Sequence, residues 1–388
     1  MQIGLDVRTV LAAKTGDRTY ALTLLHGLAA LNLDPQQWQF HLLLDAPDTN
    51  GLLPSSLCFR TVVLPARNSR LWTLLTLPRY AREARLDLVH VQYLAPRGLP
   101  CPFVTTIHDV VWRALPGTFP PLHRTILTRF MPGVARRAAL ILCGTESAKR
   151  DIARWLRVRK QKLTVTPYAI EPRYIEIVEK GVSPTAIQES RTRHGLGNEP
   201  YVLSVGVRQP RKNLARLQAA FAQLKDVHPE LPHRLVIVGK EGWGEEANAI
   251  PHDTHTVFTG YVPDEDLPAL YAGAETFAYP SLYEGFGLPI VEAQACGCPV
   301  LTSNISSLPE AAGEVPGSEG NISIEHAAVL VDPFSVQAIA QGLEELLTDP
   351  TLRETLRAHG RVHAAECTPE RLARATLEAY RIAFRTRS

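Results

Sequence analysis

The sequence predicts two doubly wound α/β domains facing each other across a cleft. Three observations carry this prediction. The chain has 388 residues, about two or three times the usual length of one domain. Strand-like and helix-like segments alternate over 1–170, lapse over 171–200 and then resume, the pattern of parallel sheets covered on both faces. Charge also divides by half. Residues 1–180 hold 24 Lys and Arg against 13 Asp and Glu, leaving 17 against 26 for the remainder of a chain whose net charge is +2.

In the first half, Met1–Val7 reads as a strand, Tyr20–Leu31 as an amphipathic helix and Trp38–Leu44 as a strand. Leu71–Ala84 is helical, Leu88–Val91 and Phe103–His108 are strands, Pro121–Arg137 is a helix and Ala139–Cys143 is a buried strand. Ser147–Val158 follows as a helix with Ser147 as its N-cap, and Leu163–Thr166 closes a first Rossmann-like domain over 1–170. Pro172, Gly181, Pro184, Gly195 and Gly197 mark 171–200 as an interdomain linker, with one short helix near Ser183–Arg193. A second Rossmann-like domain over 201–369 begins with strand Tyr201–Val205, helix Asn213–Asp226, strand Arg234–Val238 and strand Thr256–Thr259. It continues with helix Asp266–Ala272, strand Thr276–Tyr279, helix Pro289–Ala295 and strands Val300–Thr302 and Ala328–Val331. Helices Ser335–Thr348, Pro350–Ala365 and Glu370–Thr386 end the chain.

Composition excludes several classes. At 45% hydrophobic and 21% charged residues, the chain is neither disordered nor collagen-like. The apolar runs are strand-sized, far below the roughly 20 residues of a membrane span. Met1 leads into Gln2–Asp6 without a basic or apolar leader, so no secretory signal is expected and the cytoplasm is the expected compartment. Six dispersed cysteines form neither a disulfide framework nor a zinc spacing. Basic residues are not interleaved with aromatics, so no nucleic-acid partner is expected. An anionic lipid surface or an acidic acceptor fits the basic half better.

Chemistry concentrates in two loops, each between a strand and a helix. In Pro280–Glu292, Gly285 and Gly287 let the backbone turn sharply and approach a ligand. Pro289 fits the first helical position, and the helix start offers N–H groups to a phosphate. Glu284 and Glu292 flank this turn. A carboxylate disfavours a neighbouring phosphate, so they read as acceptors for sugar or ribose hydroxyls; the structural alternative is that Glu292 complements the helix dipole. In Ser204–Asn213, which includes Gly206, three cations lie within five residues. They repel one another unless a diphosphate lies between them, each charged hydrogen bond contributing about 1.5–3 kcal/mol. Arg208 and Lys212 rank ahead of Arg211 here, and a solvated basic loop is the alternative. His108-Asp109 closes a buried strand, where His108 reads as a ligand contact and Asp109 as its orienter or as a cap. The loop Lys14–Tyr20 after the first strand, with its single Gly16, is a weak signal.

Other features are set aside. Asp264-Glu265-Asp266 resembles a metal motif but precedes a short helix, where acids cap, so no metal is expected. No Gly-x-Gly-x-x-Gly follows the first strand, which disfavours a nicotinamide oxidoreductase. The apolar stripe in Arg67–Arg85, with Leu71, Trp72, Leu74, Leu75, Leu77 and Tyr80, reads as core rather than membrane contact. The basic stretch Ser147–Lys162 is the better candidate for an anionic partner, and equally a solvated helix face.

Read in order, Thr15-Gly16, Ile107-His108-Asp109, Val205–Asn213, Gly260-Tyr261-Val262 and Tyr279–Glu292 resemble the retaining glycosyltransferases of family 4, of GT-B fold. Glu284 and Glu292 hold that family's Glu-x7-Glu spacing, and the resemblance continues through Ala295–Val300 to Ser306–Glu310. It implies a metal-independent hexosyltransferase without a cofactor, using a nucleoside-diphosphate sugar as co-substrate, with mannose from GDP-mannose favoured by likeness to bacterial mannosyltransferases. Arg208 and Lys212 would neutralise the diphosphate, Glu292 would bind ribose, Glu284 the donor sugar and His108 the sugar near its reacting face. Gly16, Gly206, Gly285 and the backbone N–H groups of Phe286, Gly287 and Leu288 would line the donor site, and Val262 would lie by the base. The first domain would bind a glycan or lipid-linked acceptor, with peripheral contact to an anionic membrane through its basic surface, and helix 370–388 would pack back on it.

Two departures stand out: Arg18 replaces the second glycine of the family's first loop, and Val315–His326 reads as an inserted surface loop. The alternatives are a soluble sugar or sugar-phosphate synthase of the same fold and a non-catalytic nucleotide-sugar-binding protein.

Overall fold

The computed structural model describes residues 1–12, 15–242, 253–313 and 327–385; the 315–326 segment and Lys14 lie outside them. The chain divides into two compact units, one of Met1–Ala114, Pro121–Pro172 and Cys367–Ser388, the other of Leu115–Pro120 and Arg173–Glu366.

The first unit holds seven parallel strands: β1 (Gln2–Asp6), β2 (Gln39–Leu44), β3 (Phe59–Val63), β4 (Leu88–Gln92), β5 (Phe103–Thr106), β6 (Leu140–Cys143) and β7 (Leu163–Val165), in the order β3-β2-β1-β4-β5-β6-β7. The second unit holds six: β8 (Tyr201–Val205), β9 (Arg234–Val238), β10 (Thr256–Gly260), β11 (Thr276–Tyr279), β12 (Val300–Ser303) and β13 (Val329–Val331), in the order β10-β9-β8-β11-β12-β13. Both are doubly wound. The chain builds outward from β1 or β8, then returns to the other side of that strand with β4 or β11. Such reversals open a crevice at the strands' carboxyl ends, where ligands bind. In the second sheet the strands at the reversal, β8 and β11, are the ones that lead into the two motif loops.

Most predicted strands and helices are present, with ends shifted by a residue or two. The sequence reading lacks β3, whose residues are mostly exposed or half-buried. An edge strand buries too little on either face to show a clear period. In the first unit, α1 (Gly16–Ala30) starts earlier than its apolar pattern suggests because Thr15 caps it. Residues 69–83 form α2 (Ser69–Leu71), a π-helical turn (Trp72–Thr76) and α3 (Leu77–Glu83). After the short α4 (Val111–Ala114) and α5 (Pro121–Arg137) comes α6 (Glu146–Leu156). Its N-cap is Thr145, whose Oγ1 accepts from Ala148 N at 3.0 Å, rather than Ser147.

The 171–200 stretch is not an irregular linker. It carries α7 (Pro172–Lys180) and α8 (Pro184–Arg193), and from Arg173 onward it groups with the second unit. Pro172 and Pro184 stand at helix starts, where a missing N–H costs nothing. Gly181 (φ 72°) and Gly195 (φ 67°) lie just past the helix ends in the left-handed conformation. Residues that read as breakers are therefore terminators.

The remaining helices are α9 (Leu214–Val227), α10 (Leu267–Gly273), α11 (Leu288–Ala295), α12 (Leu308–Ala311), α13 (Val336–Thr348), α14 (Pro350–Glu366) and α15 (Pro369–Arg385). In the second unit α9 and α13 bury Leu217, Phe221, Ile339 and Leu343 against Leu235 and Leu301 of the sheet. In the first, α15 belongs to the same core as β4 and β5. Tyr380 Oη lies 2.7 Å from His90 Nδ1, and His90 Nε2 lies 2.7 Å from Thr106 Oγ1. Burial, reinforced by nearby His108, holds His90 down to about 3, so it is a neutral core residue.

A Cβ placed on Gly27 of α1 would stand 1.9 Å from the carbonyl oxygen of Pro369. Gly27→Ala is therefore expected to cost about 1–3 kcal/mol through overpacking of α1 on α15. Thermal unfolding checks this, and an unchanged midpoint would contradict the close packing.

Candidate active site

The loop after β8 is shaped by backbone conformations that its sequence encodes. Gly206 has φ 145°, and a Cβ there would meet Lys212 Cε at 3.3 Å. Gly239, at the end of β9, has φ 143°, and its Cβ would lie 2.0 Å from Gly206 O. Only glycines let these two strand ends approach so closely. A 3-10 turn, Pro210–Lys212, leads to Asn213 at φ 60°, a conformation Asn tolerates better than most residues. Asn213 Nδ2 donates to Pro280 O at 3.0 Å and Pro333 O at 2.7 Å, and Leu282 N donates to Arg211 O at 2.8 Å. The β8 loop is thereby fastened to the loop after β11.

That second loop carries Glu284, which is 9% exposed. Its Oε1 accepts from Lys212 Nζ at 2.7 Å and from Tyr279 Oη at 3.0 Å, and its Oε2 pairs with Arg211. Lys212 Nζ also donates to Tyr279 Oη. Burial alone would raise the Glu284 carboxyl, but Arg211 and Lys212 outweigh it and hold the group down to about 2. Its main chain is fixed as well: Ser306 and Ser307 hydroxyls donate to Glu284 O at 2.9 and 2.7 Å. Gly287 then turns at φ 120° and caps α11, whose first residue is Leu288, with Pro289 second. The positive end of α11 thus adjoins two cations that share one carboxylate. Two cations against one anion, beside a helix N-terminus, suit a ligand with further negative charge.

Glu292 is not in the first helical turn. It is the fifth residue of α11, which has no acidic residue in its first turn. A carboxylate there gains nothing from the positive helix end, so dipole complementation does not explain it. The group is buried and accepts from Tyr271 Oη of α10 at 3.2 Å.

Arg208 and Lys212 meet different carboxylates, Lys212 that of Glu284 and Arg208 that of Glu241. Arg208 is bound to Glu241 at 2.8 Å and lies over the Phe258 ring at 5.2 Å, and its buried Nε has no hydrogen-bond partner among the described residues. Arg211, ranked behind it from sequence, is the cation that joins Lys212 on Glu284. Val262 follows β10 with its side chain buried. The neighbouring strand end is close: Gly239 N donates to Gly260 O at 2.8 Å.

In the first unit His108 is buried among the rings of Tyr20, Tyr93 and Tyr168, with centroids 4.9, 5.5 and 5.5 Å away. Tyr168 Oη bonds Nδ1, Gln92 Oε1 lies 2.7 Å from Nε2, and Asp17 Oδ1 is 3.6 Å from Nε2. Burial lowers the imidazole against the pull of Asp17, favouring the neutral ring. Asp109 does not orient it: its Oδ1 accepts from Val111 N at 3.0 Å, at the start of α4. Gly16 is the first residue of α1, and a Cβ there would meet nothing within 4 Å. Arg18 stays in the first turn of α1 and donates through Nε to Val10 O at 3.0 Å.

Sequence reasoning missed Tyr279, Ser306, Ser307 and Asn213 as supports, and Gln92, Asp17 and Tyr168 around His108. Asn213, Tyr279, Ser306 and Ser307 all stand within or at the ends of the segments singled out above, whereas Gln92, Asp17 and Tyr168 carried no comparable signal. The acidic triplet is explained differently from expectation. Asp266 makes no side-chain cap bond to α10; it pairs with Arg193 and lies 2.9 Å from His194 Nε2.

The chain thus holds two doubly wound units, and in the second a pair of charged loops stands at the sheet reversal. The description "Glycosyltransferase Family 4" matches residues 16–174, and "Glycosyl transferases group 1" matches 186–363. The chain is 32% identical to O-antigen chain mannosyltransferase B of Escherichia coli over 72% of this chain and 70% of that one. The chain belongs to the family 4 glycosyltransferases. It is also 28% identical to a GDP-mannose-dependent alpha-(1-6)-phosphatidylinositol monomannoside mannosyltransferase of Mycolicibacterium smegmatis, over 66% of this chain and 62% of that one. Among solved structures, sucrose-phosphate synthase from Thermosynechococcus elongatus superposes with a TM-score of 0.71 at 21% identity, covering 99% of each chain. That likeness concerns the fold.

Proposed function

We propose that this glycosyltransferase is a retaining hexosyltransferase that moves mannose from GDP-mannose to a glycan or lipid-linked acceptor without a metal. The observation that carries the reading is the Arg211-Lys212-Glu284 cluster beside the start of α11. Breaking the anomeric C–O bond builds negative charge on the leaving diphosphate. Fixed cations and a helix N-terminus meet that charge with little reorganisation. Arg208 adds a third cation on the same loop once it leaves Glu241. Glu284, kept ionised by its neighbours, accepts hydrogen bonds from sugar hydroxyls, and Glu292 does the same for ribose. The backbone at Gly206, Gly285, Phe286, Gly287 and Leu288 approaches the donor, and Val262 lies by the base. His108 acts toward the sugar as a neutral imidazole, with Gly16 near the phosphates. Retention follows from front-side attack, in which the leaving phosphate oxygen takes the acceptor's proton and no side chain becomes a nucleophile. The mannose assignment is supported by relatives that are mannosyltransferases, one of them GDP-mannose-dependent.

Thermal unfolding with a panel of nucleotide sugars, each with and without chelator, tests this. GDP-mannose is expected to raise the midpoint most, equally in both conditions, and to be hydrolysed or transferred with its anomeric configuration kept. Stabilisation by another nucleotide sugar alone, or only with a divalent cation present, would overturn the donor or the metal assignment respectively.

A further inference from the structure

His108 is held at both ring nitrogens, and the groups that hold it decide which nitrogen carries the proton. Gln92, the last residue of β4, places its Oε1 2.7 Å from His108 Nε2, while its amide nitrogen donates to Thr9 Oγ1 at 3.0 Å. Tyr168 Oη meets Nδ1. The backbone that aims Gln92 is fixed. Gln92 is in register with Thr106 of β5. The next residue, Tyr93, turns at φ 58°, which a tyrosine adopts rarely and at a cost. Tyr93 N donates to Thr106 O at 2.9 Å, and Thr105 Oγ1 donates to Tyr93 O at 2.9 Å. The Tyr93 ring then packs between His108 and Trp112, with centroids 5.5 and 5.9 Å away.

These contacts alone allow two proton arrangements. In one, His108 Nε2–H donates to Gln92 Oε1 and the Tyr168 hydroxyl donates to Nδ1. In the other the Gln92 amide is turned over, its NH2 donates to a bare Nε2, and Nδ1–H donates to Tyr168 Oη. Thr9 fits both, because a hydroxyl donates or accepts. Asp17 separates them. It stands in the first turn of α1, with Oδ1 3.6 Å from His108 Nε2. A carboxylate that near is repelled by the lone pair of a bare Nε2 and attracted to an N–H.

We propose that Gln92 and Asp17 are positioning residues that hold His108 as the tautomer with its proton on Nε2. The N–H between Gln92 and Asp17 is then the group that a ligand oxygen can share. Nδ1 is taken by the Tyr168 hydroxyl, so the ring has no lone pair free to receive a proton. His108 is thereby a hydrogen-bond donor and not a general base, which suits a transfer in which the leaving phosphate oxygen takes the acceptor's proton. The effect on transfer rests on the reading of His108 as a sugar contact; the place of the proton does not.

Nitrogen NMR of the full chain labelled with 15N-histidine tests this at about pH 8, above the range in which imidazoles ordinarily charge. The His108 signals are assigned by their loss in His108→Asn. In the native chain Nε2 is expected at the protonated position and Nδ1 at the unprotonated one. Gln92→Met removes the acceptor and Asp17→Asn the charge, and each is expected to show the second tautomer. Gln92→Met should also lower kcat/KM for transfer by about 10- to 100-fold, the scale on which losing the partner of a functional histidine acts. Gln92→Glu accepts but cannot donate, so it is expected to keep the proton on Nε2 and to restore most of that loss. A native proton on Nδ1, an unchanged tautomer in both Gln92→Met and Asp17→Asn, or Gln92→Glu as inactive as Gln92→Met overturns the proposal. The native spectrum depends on no variant's folding. Native transfer by His108→Asn would instead end the reading of His108 as a sugar contact, with the tautomer still decided by the spectra.

Discussion

Glu284→Gln is expected to lower kcat/KM for glycosyl transfer by about 100- to 1000-fold, the scale on which a fixed electrostatic group at a reacting centre acts. The change keeps the shape of the side chain and removes its charge, so Arg211 and Lys212 lose the anion they share. Breaking one partner out of a buried ion pair typically destabilises by about 3–5 kcal/mol. Partial exposure of Arg211, at 21%, places the cost below that range. Stability and catalysis can be separated through pH. The Glu284 carboxyl lies at about 2 against an ordinary 4.5. A depressed acid contributes its full stabilisation above the ordinary value and loses it as pH falls through the depressed one. The native chain should therefore lose stability between about pH 4.5 and 2 more steeply than Glu284→Gln, while the two run parallel at neutral pH. Denaturant unfolding across that range measures it. Identical acid slopes would remove the ion cluster, and full transfer activity in the variant would remove the role of Glu284.

Lys212→Ala is expected to weaken a nucleoside diphosphate by about 10- to 100-fold, the loss of one charged hydrogen bond, while the bare nucleoside binds as before. Calorimetry with the two ligands separates the cases. Equal losses would mean that Lys212 only props the loop through Tyr279 and Glu284. The comparison is informative because Lys212 has both kinds of neighbour: it contacts Tyr279 and Glu284, and its chain passes beneath Gly206, where a side chain would crowd it.

Much of this was legible beforehand, for identifiable reasons. Strands such as Tyr201–Val205, Arg234–Val238 and Thr276–Tyr279 carry continuous apolar runs because both faces of their sheet are covered, and their bounds were read correctly. Glu284, Lys212, Gly206 and Gly287 are close in sequence to the turns that hold them, so local pattern exposed them. Gln92 and Asp17 sit far from His108 in sequence and resemble ordinary polar residues. They meet it only because β4 and α1 are brought beside β5.

The chain's order of residues therefore determined the alternation of elements, the two covered sheets and the loops rich in charge and glycine, since each depends on neighbours a few positions apart. Pairing was decided by the fold. Strand order put β8 next to β11, which brought the Pro210–Lys212 turn to Glu284, and Arg211 of that turn is the companion of Lys212 there while Arg208 pairs with Glu241. The position of Glu292 in the second turn of α11 and the exposure of Leu74 and Leu75 on a π-helical turn were settled in the same way. Which of two nearby cations meets a distant carboxylate, and which leucines face water, depends on packing between elements that sequence spacing does not encode.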